Sequence, residues 1–269
     1  MFGKKSKKDK EKEMPFLEHL EELRWRLVRS IVAIFIASAL SFLFKELIFD
    51  FLIAPFNAAI EMHTTGDAAD EIKQNAKLIS LAPVEFFMVY IKLALFAGLF
   101  LSSPYVFYQL WKFIAPGLLE KEKKYVPYFV TISTFFFFLG AIFCYVFVLK
   151  YGLYFLLDLQ RPNVEANYAI REYLKFVTML ILVFGVFFEM PILTFFLTKL
   201  GVLTPKFMRQ KRRYGIVTIF ILASILTPPD PFTQIILAVP LLILYEASIL
   251  VSKFTISKEE QKVAAESAA

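Results

Sequence analysis

The sequence predicts an all-α polytopic membrane protein: six transmembrane helices, both termini cytoplasmic, a periplasmic cap, and short fifth and sixth helices. Three observations carry that expectation. The chain of 269 residues is 58% hydrophobic and 17% aromatic, with a mean hydropathy of +0.61, against roughly 45–50% apolar residues in soluble domains. Its apolar residues are gathered into runs long enough to cross ~30 Å of hydrocarbon at ~1.5 Å per helical residue. The basic residues behind the net charge of +6 fall between those runs, where they orient spans rather than bind nucleic acid.

In order along the chain, residues 1–14 are a lysine-rich tail with nothing to bury, expected to be disordered and cytoplasmic. No cleavable leader is expected, because the first apolar run, from near Leu27, is too long for one. Pro15 suits a first helical position. Phe16, Leu20, Leu23 and Leu27 then recur at steps of four, three and four, with Glu18, Glu21, Glu22, Arg24 and Arg26 on the remaining faces. This is an amphipathic helix running straight into span one, about Leu27–Phe44.

Residues 45–83 form the longest polar excursion. Its greasy opening, LIFDFLIAPF, is broken by Pro55 and predicts a short helix lying on the bilayer. Gly66 and the helical-looking DAADEIKQNAKL complete the cap. Span two, about Pro83–Trp111, contains Pro104 and ends in an aromatic belt of Tyr105, Tyr108 and Trp111. Lys112, Lys121, Lys123 and Lys124 place the next loop on the amino-terminal side.

Span three, about Tyr125–Leu149, carries Gly140, Ala141 and Cys144, small residues that let helices approach closely. Residues 150–172 read as an outer loop with the turn Arg161-Pro162-Asn163. Span four is Phe176–Leu197, followed by the inner cations Lys206, Arg209, Lys211, Arg212 and Arg213. Span five, Tyr214–Thr227, supplies about 14 residues, or ~21 Å of helix, short of the hydrocarbon thickness. The turn TPPDP leads to span six, Phe232–Val251, interrupted by Pro240. Residues 15–254 are thus one membrane domain, and 255–269 a cytoplasmic tail.

No catalytic constellation, cofactor motif or metal spacing is present, so no enzyme is expected. Cys144 is the single cysteine, and His19 and His63 are the two histidines, too few for a histidine-based metal site. The intramembrane serines Ser38, Ser41, Ser102, Ser103, Ser133 and Ser224 lack a histidine or lysine mate and are expected to bond helix backbone. What remains are carboxylates. Glu189 sits inside span four, where an ionised group costs roughly 2.5–3.5 kcal/mol on insertion scales. Glu21 and Glu22 lie among arginines at the membrane surface, Glu120 and Glu122 among lysines in the first inner loop. Each is an ordinary ion pair, such as Glu22 with Arg26, or part of a two-segment grip on a cationic ligand.

The run FLEHLEELRWRL (Phe16–Leu27), APF around Pro55, and SPYVFYQLWKFIAPGLLEKEKK (Ser103–Lys124) resemble the C subunit of the twin-arginine protein translocase, the TatC family. FLGAIFCYVFV, FGVFFEMPI and LTPPDPFTQ match in the same order. The resemblance covers about residues 15 to 254. It implies the receptor core of a system exporting folded proteins across a bacterial plasma or thylakoid membrane, driven by the proton-motive force.

Here that means a multi-pass protein of the bacterial inner membrane. It would work with single-span TatA- and TatB-type subunits, self-associate, and bind signal peptides bearing two adjacent arginines. The family's arginine-reading glutamates map to Glu22 and Glu122, with Arg24 and Phe113 in the same peptide-binding set. Its intramembrane polar site maps to Glu189, a partner contact to Gln234, and its functional turns to Pro55 and Asp230. The first inner loop departs in lacking the histidine often found before the key glutamate. The alternative reading is a proton-coupled secondary transporter using Glu189. It requires internal repeats and a second midplane charge, and neither is visible. A non-transporting interaction scaffold is the third reading.

Overall fold

The structure, a computed structural model, describes residues 16–62, 76–117, 126–159, 166–226 and 231–267. The lysine-rich start, Pro15, Gly66 with its flanking segment, Glu120, Glu122, the Arg161-Pro162-Asn163 turn and Asp230 lie outside them.

Helix α1 (Phe16–Phe42) carries the amphipathic start and span one as a single element. A turn at Leu43 and Phe44 leads to α2 (Lys45–Met62). Pro55 does not break α2: it sits buried inside it. Its missing N–H leaves the Phe51 carbonyl without a helical partner, and the Tyr145 hydroxyl donates to that oxygen at 2.6 Å. The Tyr173 hydroxyl donates to the next carbonyl, that of Leu52, at 2.9 Å. Helix α3 (Glu85–Ile114) survives Pro104 by the same device, the Ser103 hydroxyl reaching the Phe100 carbonyl at 2.7 Å.

Helix α4 (Val126–Phe143) passes through a π-helical turn, Cys144–Leu149, into α5 (Lys150–Asp158). The expected loop from residue 150 therefore begins as helix, because Leu153 and Leu157, one turn apart, are both buried. Strands β1 (Ala76–Ile79) and β2 (Ala166–Ala169) pair in parallel, Ala76 opposite Ala166. The all-helical reading missed this ribbon, in which two distant connections satisfy each other's backbone groups. The residues AKL, read as helical, are part of β1.

Span four is divided into α6 (Ile170–Phe188) and α7 (Met190–Lys199). Pro191 cannot donate to the carbonyl four residues back, and the Glu189 N–H bonds Val186 at 3.1 Å, a tighter i−3 contact. A short α8 (Pro205–Gln210), α9 (Arg212–Leu226) and α10 (Pro231–Ser267) follow. Pro240 lies inside α10 without ending it, and the tail set at residue 255 continues that helix to Ser267.

Among the described residues five helices are long and apolar enough to cross a membrane: 18–42, 85–114, 126–158, 170–199 and 231–256. With 15 residues, ~22 Å of rise, α9 is not one of them, whereas the sixth helix, also expected to be short, runs unbroken through Pro240 and is long enough. The chain alternates between two ends of the bundle, the strand end and the Glu22 end. The longest contact is α1 along α3; α6 packs on α4, and α7 on α10. A side-chain carbon at Gly98 would stand 2.5 Å from the Ser38 backbone, and one at Gly140 would stand 2.6 Å from the Phe184 carbonyl. Both glycines let backbones approach closely; the small residues of span three predicted this at Gly140, and the sequence reading did not anticipate it at Gly98.

The main core joins α2, α4, α6 and α10 around Leu52, Cys144, Phe184 and Leu241. A smaller one joins Trp111, Val126, Ile192 and Phe196. Trp111 corrects the belt reading: it is fully buried, whereas Tyr105 and Tyr108 are exposed.

Candidate functional site

Glu22 and Arg26 stand one turn apart on one face of α1. Arg26 bonds a single oxygen of that carboxylate, Oε1, through Nε at 3.0 Å and through Nη2. Its Nη1 donates to the side-chain oxygen of buried Gln109 on α3 at 3.4 Å. Arg26 is thereby held between two helices and holds Glu22 in turn.

The other carboxylate oxygen, Oε2, is buried with no hydrogen-bond partner among the described residues. Nδ1 of His19 stands 3.8 Å from it. The His19 ring lies flat against Phe113, centroids 4.3 Å apart and planes 10° apart. Beside them Glu22, Trp25, Arg26 and Arg29 line an open depression of about 420 Å³. Arg24 leaves α1 on another face, exposed and without an ion pair among the described residues. An acid with one oxygen fixed and the other unfilled, next to an aromatic plane, is suited to a guanidinium.

A second polar site lies deeper. Glu189 is 6% exposed, and its Oε1 has no hydrogen-bond partner among the described residues. Ser133 of α4 stands against this carboxyl and accepts the Trp111 indole N–H at 2.9 Å. The indole is fixed by stacking on Phe129 and an edge contact with Phe196. Ser38, Ser102 and Ser103 do bond helix carbonyls as expected; Ser133 instead serves the tryptophan.

The last turn of α3 connects the two sites. Gln109 and Phe113, four residues apart, face α1, while Trp111 between them faces Ser133 and Glu189. The structure thus gathers Glu22 and Phe113, and sets Glu189 behind the same helical turn. Gln234 is elsewhere: its Nε2 donates to the Phe220 carbonyl at 3.0 Å, tying α10 to α9.

Sequence reasoning missed Gln109, the one polar residue of YVFYQLW apart from tyrosine hydroxyls, and the Ser133–Trp111 pair. It also missed Glu85. That buried carboxylate accepts the Leu81 N–H at 2.6 Å and the Arg171 N–H at 3.3 Å, fastening the strand end to the start of α6. Among the described residues no group of three or more His, Cys, Asp or Glu could hold a metal.

Residues 18–240 match the family described as Sec-independent protein translocase protein (TatC). The chain is 40% identical over 260 residues to the Sec-independent protein translocase protein TatC of Magnetococcus marinus, covering 97% of this chain and 92% of that protein. It is 39% identical over 240 residues to the protein of the same name from Desulforapulum autotrophicum, covering 89% and 84%. A crystal structure of a twin arginine translocase receptor, TatC, superposes with a TM-score of 0.77 at 37% identity, over 89% of this chain and all of that one.

Proposed function

Because this chain belongs to the TatC family of Sec-independent protein translocase components, and so is part of a translocase rather than an enzyme, we propose that it is the signal-peptide receptor of a twin-arginine system. One observation carries the reading: the half-buried Glu22 carboxylate has one oxygen anchored by Arg26 and the other buried without a partner among the described residues, close to Phe113 and an open depression. A signal peptide's arginine brings parallel N–H donors to such an oxygen, and lysine brings a single point charge. Glu122 would supply the second acid from the adjoining loop, with Arg24 balancing charge at the rim.

In this reading the short α9 completes six spans. The Glu22 end and both termini are cytoplasmic, and the strand end is the periplasmic cap of a plasma-membrane protein. The peptide's apolar stretch runs past the last turn of α3 towards Glu189, and TatA- and TatB-type helices dock at Glu189 and near Gln234. Cargo then crosses folded, driven by the proton-motive force. The family match favours this over a transporter that carries protons on Glu189.

The test is capture of a labelled twin-arginine peptide by the full-length protein in lipid nanodiscs. Glu22→Ala should weaken binding roughly 10–100-fold, the scale of a hydrogen bond to a charged group, and Glu122→Ala should act in the same direction. The protein should remain membrane-inserted in both cases. Equal capture by the double variant would remove the reading.

A further inference from the structure

His19 has no task in the reading above, yet it occupies its centre. Its imidazole is a flat ring, stacked on Phe113 at 4.3 Å and 10°, with an in-plane nitrogen 3.8 Å from the unpartnered oxygen of Glu22. A guanidinium recognised here would adopt the same attitude: flat on the aromatic face, N–H bonds directed in its own plane at a carboxylate.

Resting on the receptor reading, we infer that His19 is an internal stand-in for the peptide's arginine. It fills the seat between Phe113 and Glu22 until an arginine displaces it, and the Phe113 face adds to the carboxylate's preference for arginine over lysine. Three observations converge. The oxygen is buried although nothing among the described residues bonds it, so a cover must lie over it, and the His19 ring nitrogen stands 3.8 Å away on the side that Arg26 does not bond. The cover is free to leave, its side chain being 38% exposed. The seat remains in place when it leaves, because Arg26, itself bonded to Gln109, holds Glu22 by its other oxygen.

The roles separate thermodynamically. A stand-in acts on the unbound protein, so its removal tightens every ligand that uses the seat. A stacking face acts on the complex, so its removal changes the preference between ligands. Lysine's ammonium has no plane to lay on a ring, whereas a guanidinium does.

The experiment measures fluorescence anisotropy of a twin-arginine signal peptide and its twin-lysine counterpart on the full-length protein in nanodiscs. His19→Ala should tighten the twin-arginine peptide roughly three- to tenfold, the range of one stacked ring contact. Phe113→Leu should narrow the gap between the two peptides. In the Phe113→Leu background the gain from His19→Ala should shrink, since His19 has then lost its own seat.

Weaker or unchanged twin-arginine binding in His19→Ala overturns the stand-in, as does an equal loss for both peptides in Phe113→Leu for the stacking face. If Glu22→Ala leaves wild-type binding intact, the receptor reading itself falls. If Glu22→Ala weakens binding while His19→Ala does not tighten it, the stand-in alone falls.

Discussion

Tyr145 and Pro55 show how single residues keep this backbone satisfied where water is scarce. Each internal proline of α2 and α3 strands a carbonyl four residues back, and a hydroxyl meets each one: Tyr145 at Phe51 and Ser103 at Phe100. An unmet carbonyl there costs about 1–3 kcal/mol. Tyr145→Phe should therefore destabilise the α2 region by that order, read as faster hydrogen exchange in α2 or a lower Tm. Pro55→Ala restores the N–H, so the same tyrosine change should cost much less in that background; equal costs would show that the hydroxyl serves another purpose. The proline was legible in the sequence and its tolerance was not, since Tyr145 is 90 positions from Pro55 and is aimed by a π-helical turn that periodicity cannot reveal. The same limit hid Gln109. Its amide matters only because α3 runs antiparallel to α1 closely enough for Arg26 to reach it.

At the scale of elements, the apolar runs were easy to place because hydrocarbon thickness dictates their length. Their breaks were harder. Span four reads as one uniform stretch, yet Pro191 divides it at Glu189, and the two halves have different neighbours, α4 above and α10 below. The acid therefore lies at a seam between helix pairs, and on the receptor reading a partner helix meets it by parting that seam. Glu189→Ala should leave twin-arginine peptide binding within about twofold while reducing co-purification of TatA- and TatB-type partners; undiminished co-purification would make the group structural. The helix of residues 150–158 and the paired strands were misread for a related reason. Their stability comes from burial of Leu153 and Leu157 and from cross-chain pairing, neither of which a local window contains.

For the whole molecule, charge distribution and span length together predict how it deforms its surroundings. Helix α9 rises ~22 Å against a ~30 Å core, with Val217, Ile221 and Ile225 exposed along it. The bilayer should be thinner beside α9 than beside α1, as read by depth-dependent quenching of probes placed at each; equal depth profiles would refute this. Helix α9 is also fastened to α10 at two levels, by Arg212 with Glu246 and by Gln234 with the Phe220 carbonyl, with Gly215 pressed against the Tyr245 ring between them. Two rivets and a flush joint make the pair a single stave of the helical bundle. A covalent link between positions 212 and 246 should then be silent during export, because on the receptor reading any opening for cargo forms along the edges of that stave and never down its middle.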